Sequence, residues 1–380
     1  MADGPAGNVQ SWGHVRTFTP WSMNVSVRAR TRLARAGVAV PDGDHCPKGH
    51  ELVRDLLRPI AELAELAPHI RYGARVLEIA RDGLLKNDEI GTARRGETPF
   101  RVLIEQGSEE RVVFTDVVLD CTGSYHNPNA LGRSGIHAPG ERSVADAIVR
   151  EVPDVIGSES DWVGPRILLV GAGYSAQTAA QDLSDLCTRH PDTAVTWAIR
   201  SEAPTLGEVE NDPLSARPAL VAGALDLVSS AKTGRAGDSG IEVRLGRSVE
   251  GLRRTSAGIE VTLRNSVADE LETIVTDRVV ALTGYVGDHT IYRQLQVYEC
   301  WATSGPMKLS AALLASSSLD CLAQTSQGAE TLTNPEPDFF ILGIKSYGRN
   351  STFLMQVGWE QVDEVFSLID RSHAIAREGR

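Results

Sequence analysis

The sequence predicts an α/β protein in which one nucleotide-binding lobe is placed inside a second one, and three observations carry that reading. Arg166–Arg200 reads as strand, glycine turn, helix, strand. Two apolar runs, one on each side of it, close on Thr-Gly at residues 122–123 and 283–284. Elsewhere, strand-length apolar runs alternate with segments of helical spacing.

The elements follow in chain order. Trp12–Trp21 mixes aromatic and polar residues without a helical or strand period and reads as an ordered loop. Gly49–Leu66 carries Leu52, Leu56, Ile60 and Leu63 at helical spacing, with Pro59 expected to kink it or to open a second helix. Arg75–Arg81, Phe100–Glu105 and Arg111–Asp120 look like three strands divided by charged turns. Pro128–Gly164, rich in Gly and Pro, reads as the link between lobes. After the glycine-turn unit, Pro218–Ser230 looks helical, and Ile241–Leu245, Glu260–Leu263 and Arg278–Leu282 look like strands. Asp338–Gly343 is a further short strand. Thr352–Asp370 is a helix with Phe353, Val357, Val362 and Phe366 as expected buried positions. No internal repeat or low-complexity segment interrupts the pattern.

The turn Gly171-Ala172-Gly173-Tyr174-Ser175-Ala176 has the G-x-G-x-x-A form of a dinucleotide-binding fingerprint. Gly171 permits the tight exit from the strand, Gly173 lets a pyrophosphate approach the backbone, and Ala176 keeps the helix close to the sheet. The helix start supplies free N–H groups and the positive end of the dipole. Glycines mark any turn, but here a strand precedes and a helix follows. The next strand, Val195–Ile199, ends in Arg200 and Ser201 where an NAD site would place an acid. A guanidinium suits a 2′-phosphate, so the reading is NADPH, against the plainer alternative of a solvent-facing arginine.

Composition narrows the function classes. The 380 residues suffice for two cores. A net charge of −12, from 50 acidic and 38 basic side chains, argues against nucleic acid. No apolar run approaches a membrane span, Ala219–Val228 being a short apolar helix at most. The N-terminus lacks the layout of a secretion signal. Five scattered cysteines (46, 121, 187, 300 and 321) without a C-x-x-C pair disfavour a disulfide framework, a zinc site and dithiol chemistry. The expectation is a cytoplasmic protein acting on a small molecule, with no metal.

The segments TGSYHNPN, GAGYSA, ENDPLSAR, LTGYVGD and LGIKSYGRNSTFLMQVGWEQV, together with the paired Thr-Gly strand ends, resemble the two-dinucleotide-binding-domain flavoproteins. These include the class B flavin monooxygenases and the pyridine nucleotide-disulfide oxidoreductases. Within them the resemblance is to a bacterial group of monooxygenase-like FAD/NAD(P)-binding proteins, and it runs from Trp12 to the last helix. It implies two Rossmann-like, three-layer domains: residues 1–130 with 300–380 for FAD, and residues 131–299 for NADPH. It places Gly171, Gly173, Tyr174, Ser175, Ala176, Arg200 and Ser201 at NADPH, and Thr122 and Gly123 along the flavin. Thr283 and Gly284 close the second strand beside the cofactors, and Val76 sits near the flavin adenine. The helix starting near Thr352 would point its N-terminus at the isoalloxazine, where a positive helix end stabilises the reduced ring. The same helix reads equally well as a packing element.

One departure stands out. The family opens on its own strand–GxGxxG–helix–strand unit for the ADP half of FAD, and about 35 residues of that kind are missing ahead of Trp12. The glycines of Met1–Gly7 have no strand before them. Gly343-Ile344 also lacks the aspartate many relatives carry there. Either a longer natural flavoenzyme has been shortened, or the protein holds FAD poorly or not at all. A parallel sheet without its first strands would expose an edge, so a covering element or a homo-oligomer is expected. What the resemblance implies is an NADPH-dependent flavoprotein monooxygenase that oxygenates a nitrogen, sulfur or carbonyl centre. The alternatives are a flavin-poor NADPH reductase and a silent NADPH-binding partner protein.

No residue is singled out as catalytic. His14, Arg16, His126, Lys345, Tyr347 and Arg349 lie in motifs expected to face the central cleft, where a histidine beside a glycine turn is commonly structural. Tyr285 and Tyr347 are read as pocket walls. Cys321 is either reactive or a small buried hydrophobe.

Overall fold

A computed structural model describes residues 2–210, 212–214, 216–232, 240–315 and 326–378. Its N-terminal part is helical. Ser26 caps the helix Val27–Arg35 by accepting from Ala29 N–H at 3.1 Å. The stretch Gly49–Ala61 runs as an α-turn (Gly49–Leu52), a π-turn (Val53–Leu57) and a second α-turn (Arg58–Ala61). Pro59 explains the sequence of turns: its ring excludes the regular register, and the wider π-turn, in which Arg58 N–H reaches Val53 O, absorbs the misfit. The helix is thus redirected without being broken. Leu52, Leu56 and Leu63 are buried with Trp21, Val25 and Leu33.

Strands β1 (Ala74–Arg81), β2 (Phe100–Gln106) and β3 (Glu109–Thr115) form an antiparallel meander. The single strand expected over Arg111–Asp120 is two strands. Its chain leaves the meander after Thr115, and β4 (Val118–Asp120) begins a separate parallel pairing. One apolar run therefore serves two sheets, a division that periodicity does not mark.

The central sheet has the order β5-β12-β6-β7-β8 and is parallel throughout. It comprises β5 (Ile148–Val149), β6 (Arg166–Val170), β7 (Ala194–Ile199), β8 (Ile241–Leu245) and β12 (Arg278–Ala281). Strands β9 (Arg247–Thr255), β10 (Gly258–Asn265) and β11 (Leu271–Thr276) form a second meander. Strand β6 shows why this strand reads as an unbroken apolar run. Ile167 and Leu169 pack under the helix Tyr174–Arg189, while Leu168 and Val170 face the meander. The layers are helix, parallel sheet and antiparallel sheet. Pro128–Gly164 does more than join lobes, because it supplies β5 and buries Leu131, Ala138 and Val144 against the meander.

Strand β13 (Phe339–Ile341) pairs with β4 in parallel, Val118 opposite Phe339 and Asp120 opposite Ile341. Among the described residues this pair has no third strand on either side. Phe339 and Ile341 meet Phe100 and Ile104 of the first meander, whereas Phe340 and Leu342 meet the C-terminal helix, Met355–Glu378. That helix buries Val357, Gln361 and Val365, a stripe of i, i+4, i+8. Phe366 falls just off the stripe and is 49 % exposed, against expectation. Phe353 precedes the helix and packs edge-on to Tyr347.

Asp182, on the helix Tyr174–Arg189, has its carboxyl pushed up from 3.8 to about 6 by burial, with Asp185 and Asp154 adding and Lys48 opposing. A raised native carboxyl binds more protons than the unfolded one between those values. The stability it lends is therefore full below 3.8 and lost as pH rises through about 6. Asp182→Asn should add on the order of 1–3 kcal/mol at pH 7–8 and nothing near pH 3.5. Urea melts at the two pH values check this, and an equal effect at both would count against it.

Candidate cofactor and substrate site

The glycine turn leaves β6 at Val170. Gly171 has φ of 133°, and a β-carbon there would lie 2.3 Å from Leu282 O. The turn is pinned from outside: Trp197 Nε1 donates to Gly171 O at 2.8 Å, and Gln177 Nε2 donates to Ala172 O and Leu206 O at 3.0 and 2.8 Å. Ala176 is fully buried against the sheet. Gly173 differs from Gly171. Its φ of −71° and ψ of 172° suit any residue, and a β-carbon at this position meets nothing within 4 Å. It is exposed at the N-cap of a 16-residue helix that no side chain caps. The space over Gly173 and the uncapped helix start make a cradle fitted to a diphosphate. Ser175 is exposed beside it, and Tyr174 donates its hydroxyl to Gly207 O. Arg200 follows β7, exposed and without a hydrogen bond or ion pair among the described residues, with Ser201 next to it.

The two Thr-Gly strand ends come together through the segment Ser124–Asn129. Asn129 N–H and Nδ2 donate to Gly284 O and Thr283 O at 2.9 and 3.1 Å, and Thr283 Oγ1 donates back to Asn129 O. Val286 N–H reaches Asn127 O, and the Tyr125 and Tyr285 rings stand 6.0 Å apart. Both phenols are pushed up by burial, Tyr285 further by Glu151, and Tyr347 is raised by burial and Glu360 to about 12. None of the three is a proton donor poised near neutrality.

At the end of β4, Thr122 and Gly123 sit beside a buried ion pair that sequence reasoning missed. Lys345 Nζ contacts Asp120 Oδ2 at 2.7 Å and Thr122 Oγ1 at 3.1 Å, and lies 4.9 Å over the Tyr292 ring. Asp120 Oδ1 also accepts from Thr122 N–H and Oγ1. Lys345 is therefore wholly enclosed. The signal lay in a charged residue at the end of an apolar strand, but its partner is 225 positions away. Val76 is partly exposed on β1 at a bulge. Thr352 lies ahead of the C-terminal helix, which begins at Met355, because Asn350 Oδ1 accepts its N–H and Oγ1 in a side-chain turn. Arg16 donates to Cys46 O, and His126 is exposed.

The residues fit a flavin in outline. Among the described residues, His14 Nε2 and Tyr347 Oη are buried without a partner, which leaves polar atoms for a ligand. Thr122 and Asp120, engaged by Lys345, leave mainly backbone to offer there. Cys121 is solvent-exposed at its surface, and the protein around it and the neighbouring Asp120 push its thiol up. The four described cysteines are all unbridged, and Cys321 lies outside the described residues. Among the described residues no cluster of metal-binding side chains occurs, and no helix is long and apolar enough to cross a membrane.

A cleft of about 860 Å³ opens where the Thr283–Gly284 strand end meets the segment after Pro128. Asn129, His137, Arg142, Ser143, Val286 and Arg349 are among its walls.

The model of the pyridine nucleotide-disulphide oxidoreductase family matches residues 25–301. No curated protein matches by sequence. Among solved structures, the bacillithiol disulfide reductase of Bacillus cereus is similar at 18 % identity and a TM-score of 0.60, over 97 % of this chain and 89 % of that one. The ornithine N-hydroxylase of Kutzneria sp. 744, solved with reduced FAD, NADP+ and L-ornithine, is similar at 16 % identity and a TM-score of 0.57, over 91 % and 82 %. The cadaverine monooxygenase of Erwinia amylovora, solved with FAD, is similar at 13 % and 0.53, over 95 % and 88 %. At these identities the likeness is one of fold, and it includes reductases and monooxygenases alike.

Proposed function

Because the chain belongs to the pyridine nucleotide-disulphide oxidoreductase family, we propose that it is an NADPH-dependent flavoprotein oxidoreductase of the monooxygenase type, acting on a small molecule. Membership makes it an oxidoreductase, and the family implies FAD and NAD(P)H as its cofactors. The observation that carries the nucleotide half is Gly173, a glycine the backbone does not need, facing open space at an uncapped helix start.

In this reading residues 131–299 hold NADPH, while residues 1–130 and 300–380 form the flavin-facing lobe. Gly171 and Trp197 fix the turn, Gly173 and the first helical N–H groups take the diphosphate, and Arg200 with Ser201 takes the 2′-phosphate. Thr122, Gly123 and His14 would hold the flavin, which when bound supplies hydride acceptance and oxygen activation. The protein's own part is to hold the two strand ends together through Asn129 and to exclude water. The absence of a C-x-x-C pair in this sequence favours oxygen transfer over dithiol chemistry. The engagement of Asp120 and Thr122 by Lys345 favours a second reading, in which the flavin is held loosely and the protein acts as an NADPH reductase.

The test is the visible spectrum of the purified protein, with and without added FAD, followed by NADPH in air. A bound flavin band that bleaches, with oxygen uptake, is the expected result. NADPH binding without any flavin binding would remove the monooxygenase reading. Arg200→Ala should raise KM for NADPH about tenfold or more, as loss of a charge-assisted contact does, and leave NADH nearly unchanged. Equal effects on both coenzymes would remove the 2′-phosphate role.

A further inference from the structure

The 860 Å³ cleft is basic in an acidic protein. The chain carries 50 acidic side chains against 38 basic ones, yet the cleft walls include Arg142, Arg349 and His137 and no carboxylate. Neither Arg142 nor Arg349 has a hydrogen-bond or ion-pair partner for its guanidinium among the described residues, whereas Arg150 and Arg254 are paired with Glu141 and Asp146. Two unpaired arginines lining one cleft that holds no carboxylate offer a site for an anion.

Both arginines stand on fixed platforms. Arg349 follows Gly348, whose φ is 60° and whose β-carbon would strike Thr303 O, and its own N–H donates to Thr303 O at 2.7 Å. Tyr347 before it is buried. Arg142 follows Gly140 and Glu141. Gly140, at φ 86°, leaves no room for a β-carbon, which would strike Leu252 O, and the Glu141 carboxylate is buried, accepting from Leu131 N–H, Ala138 N–H and Arg150. Burial opposes ionisation of Glu141, but those donors and His137 hold its carboxyl below the usual range. Its charge is thus consumed by neighbours and does not neutralise Arg142. The two arginines come from different lobes, and Val286 and Asn129 put the cleft at the carboxyl end of β12, the same end of the parallel sheet as the glycine turn.

We propose that this cleft binds the substrate, and that the substrate carries a carboxylate or phosphate group held between Arg142 and Arg349. The inference rests on the oxidoreductase reading and names the substrate class of that enzyme. Thermal melts and calorimetry with sodium malate, inorganic pyrophosphate and cadaverine, at matched ionic strength and with saturating NADP+ to fill the diphosphate cradle at Gly173, test it. Malate or pyrophosphate should stabilise the protein and cadaverine should not, and the stronger of the two anions identifies the headgroup.

Arg142→Gln and Arg349→Gln should each weaken anion binding about tenfold or more, and the double variant should abolish it. Arg133→Gln, an exposed neighbour outside the cleft, should leave it unchanged. Anion binding that survives in the double variant overturns the proposal. So does a parallel loss of NADPH affinity in the two cleft variants, which would assign the arginines to the cofactor's phosphates. If the unaltered protein fails to bind NADPH while anion binding still depends on Arg142 and Arg349, the cofactor reading falls and the anion site stands.

Discussion

Gly173→Val is expected to fold as the parent does and to lose NADPH binding. Its backbone angles lie in the extended region that β-branched residues favour, and nothing stands within 4 Å of the added β-carbon. The stability change should be about 1 kcal/mol, the cost of exchanging a favoured N-cap glycine for a branched residue. The methyl groups would occupy the ground that a diphosphate must take to reach the helix N–H groups. Affinity should fall about 100-fold or more, since each charge-assisted hydrogen bond lost is worth about 1.5–3 kcal/mol. Gly171→Ala makes the matched control. It forces a side chain into φ of 133° and into Leu282 O, so it should cost about 2–4 kcal/mol of stability. Melting curves and NADPH fluorescence titrations separate the two. If Gly173→Val binds NADPH like the parent, the nucleotide site is not at this turn.

The same two glycines show what a sequence can disclose. Both belong to a motif whose chemistry is local, and the apolar run Ile167–Val170 announces a strand covered on both faces. Reading them needs no long-range information. Strands β9 and β11 escaped because the alternation is diluted: Arg253 and Arg254 follow one another, both exposed, in the first, and in the second Leu271 is exposed while Glu272 shares the face of Ile274 and the buried Thr276. The Asp120–Lys345 pairing and Arg142 escaped for a different reason. The motif around Lys345 and Arg349 puts both at the central cleft, but which residues they meet, and that an arginine at 142 joins Arg349, appears only once the fold sets their neighbours. Thr352 illustrates a third case, where an asparagine two residues upstream diverts the backbone into a turn and delays the helix by three residues.

Glu336→Ala should be among the most destabilising single substitutions in this chain, at about 3–5 kcal/mol. Glu336 Oε1 accepts from Arg81 Nε at 2.7 Å and Oε2 from Arg95 Nε at 2.9 Å, with Gln296 N–H adding a third bond at 2.8 Å. All three charged side chains are enclosed, at 0–1 % exposure. One carboxylate thus serves two guanidiniums, and the remaining positive charge rests on carbonyls. Arg81 donates to Thr98 O and Pro337 O, Arg95 to Leu85 O and Asp88 O, and the Phe100 ring lies 3.6 Å from the Arg81 guanidinium. Removing the carboxylate leaves two buried cations without their counter-charge. Glu336→Gln keeps the shape and loses the charge, so it should cost nearly as much, which separates an electrostatic cause from a cavity. A triple replacement, Arg81→Met, Arg95→Met and Glu336→Leu, should recover most of the loss, because an apolar cluster needs no counter-charge. Urea unfolding of the four proteins decides it. A loss below 1 kcal/mol for Glu336→Ala would mean that the carbonyls alone hold both guanidiniums. The antiparallel meander would then owe its attachment to β13 to Phe100, Ile104, Phe339 and Ile341.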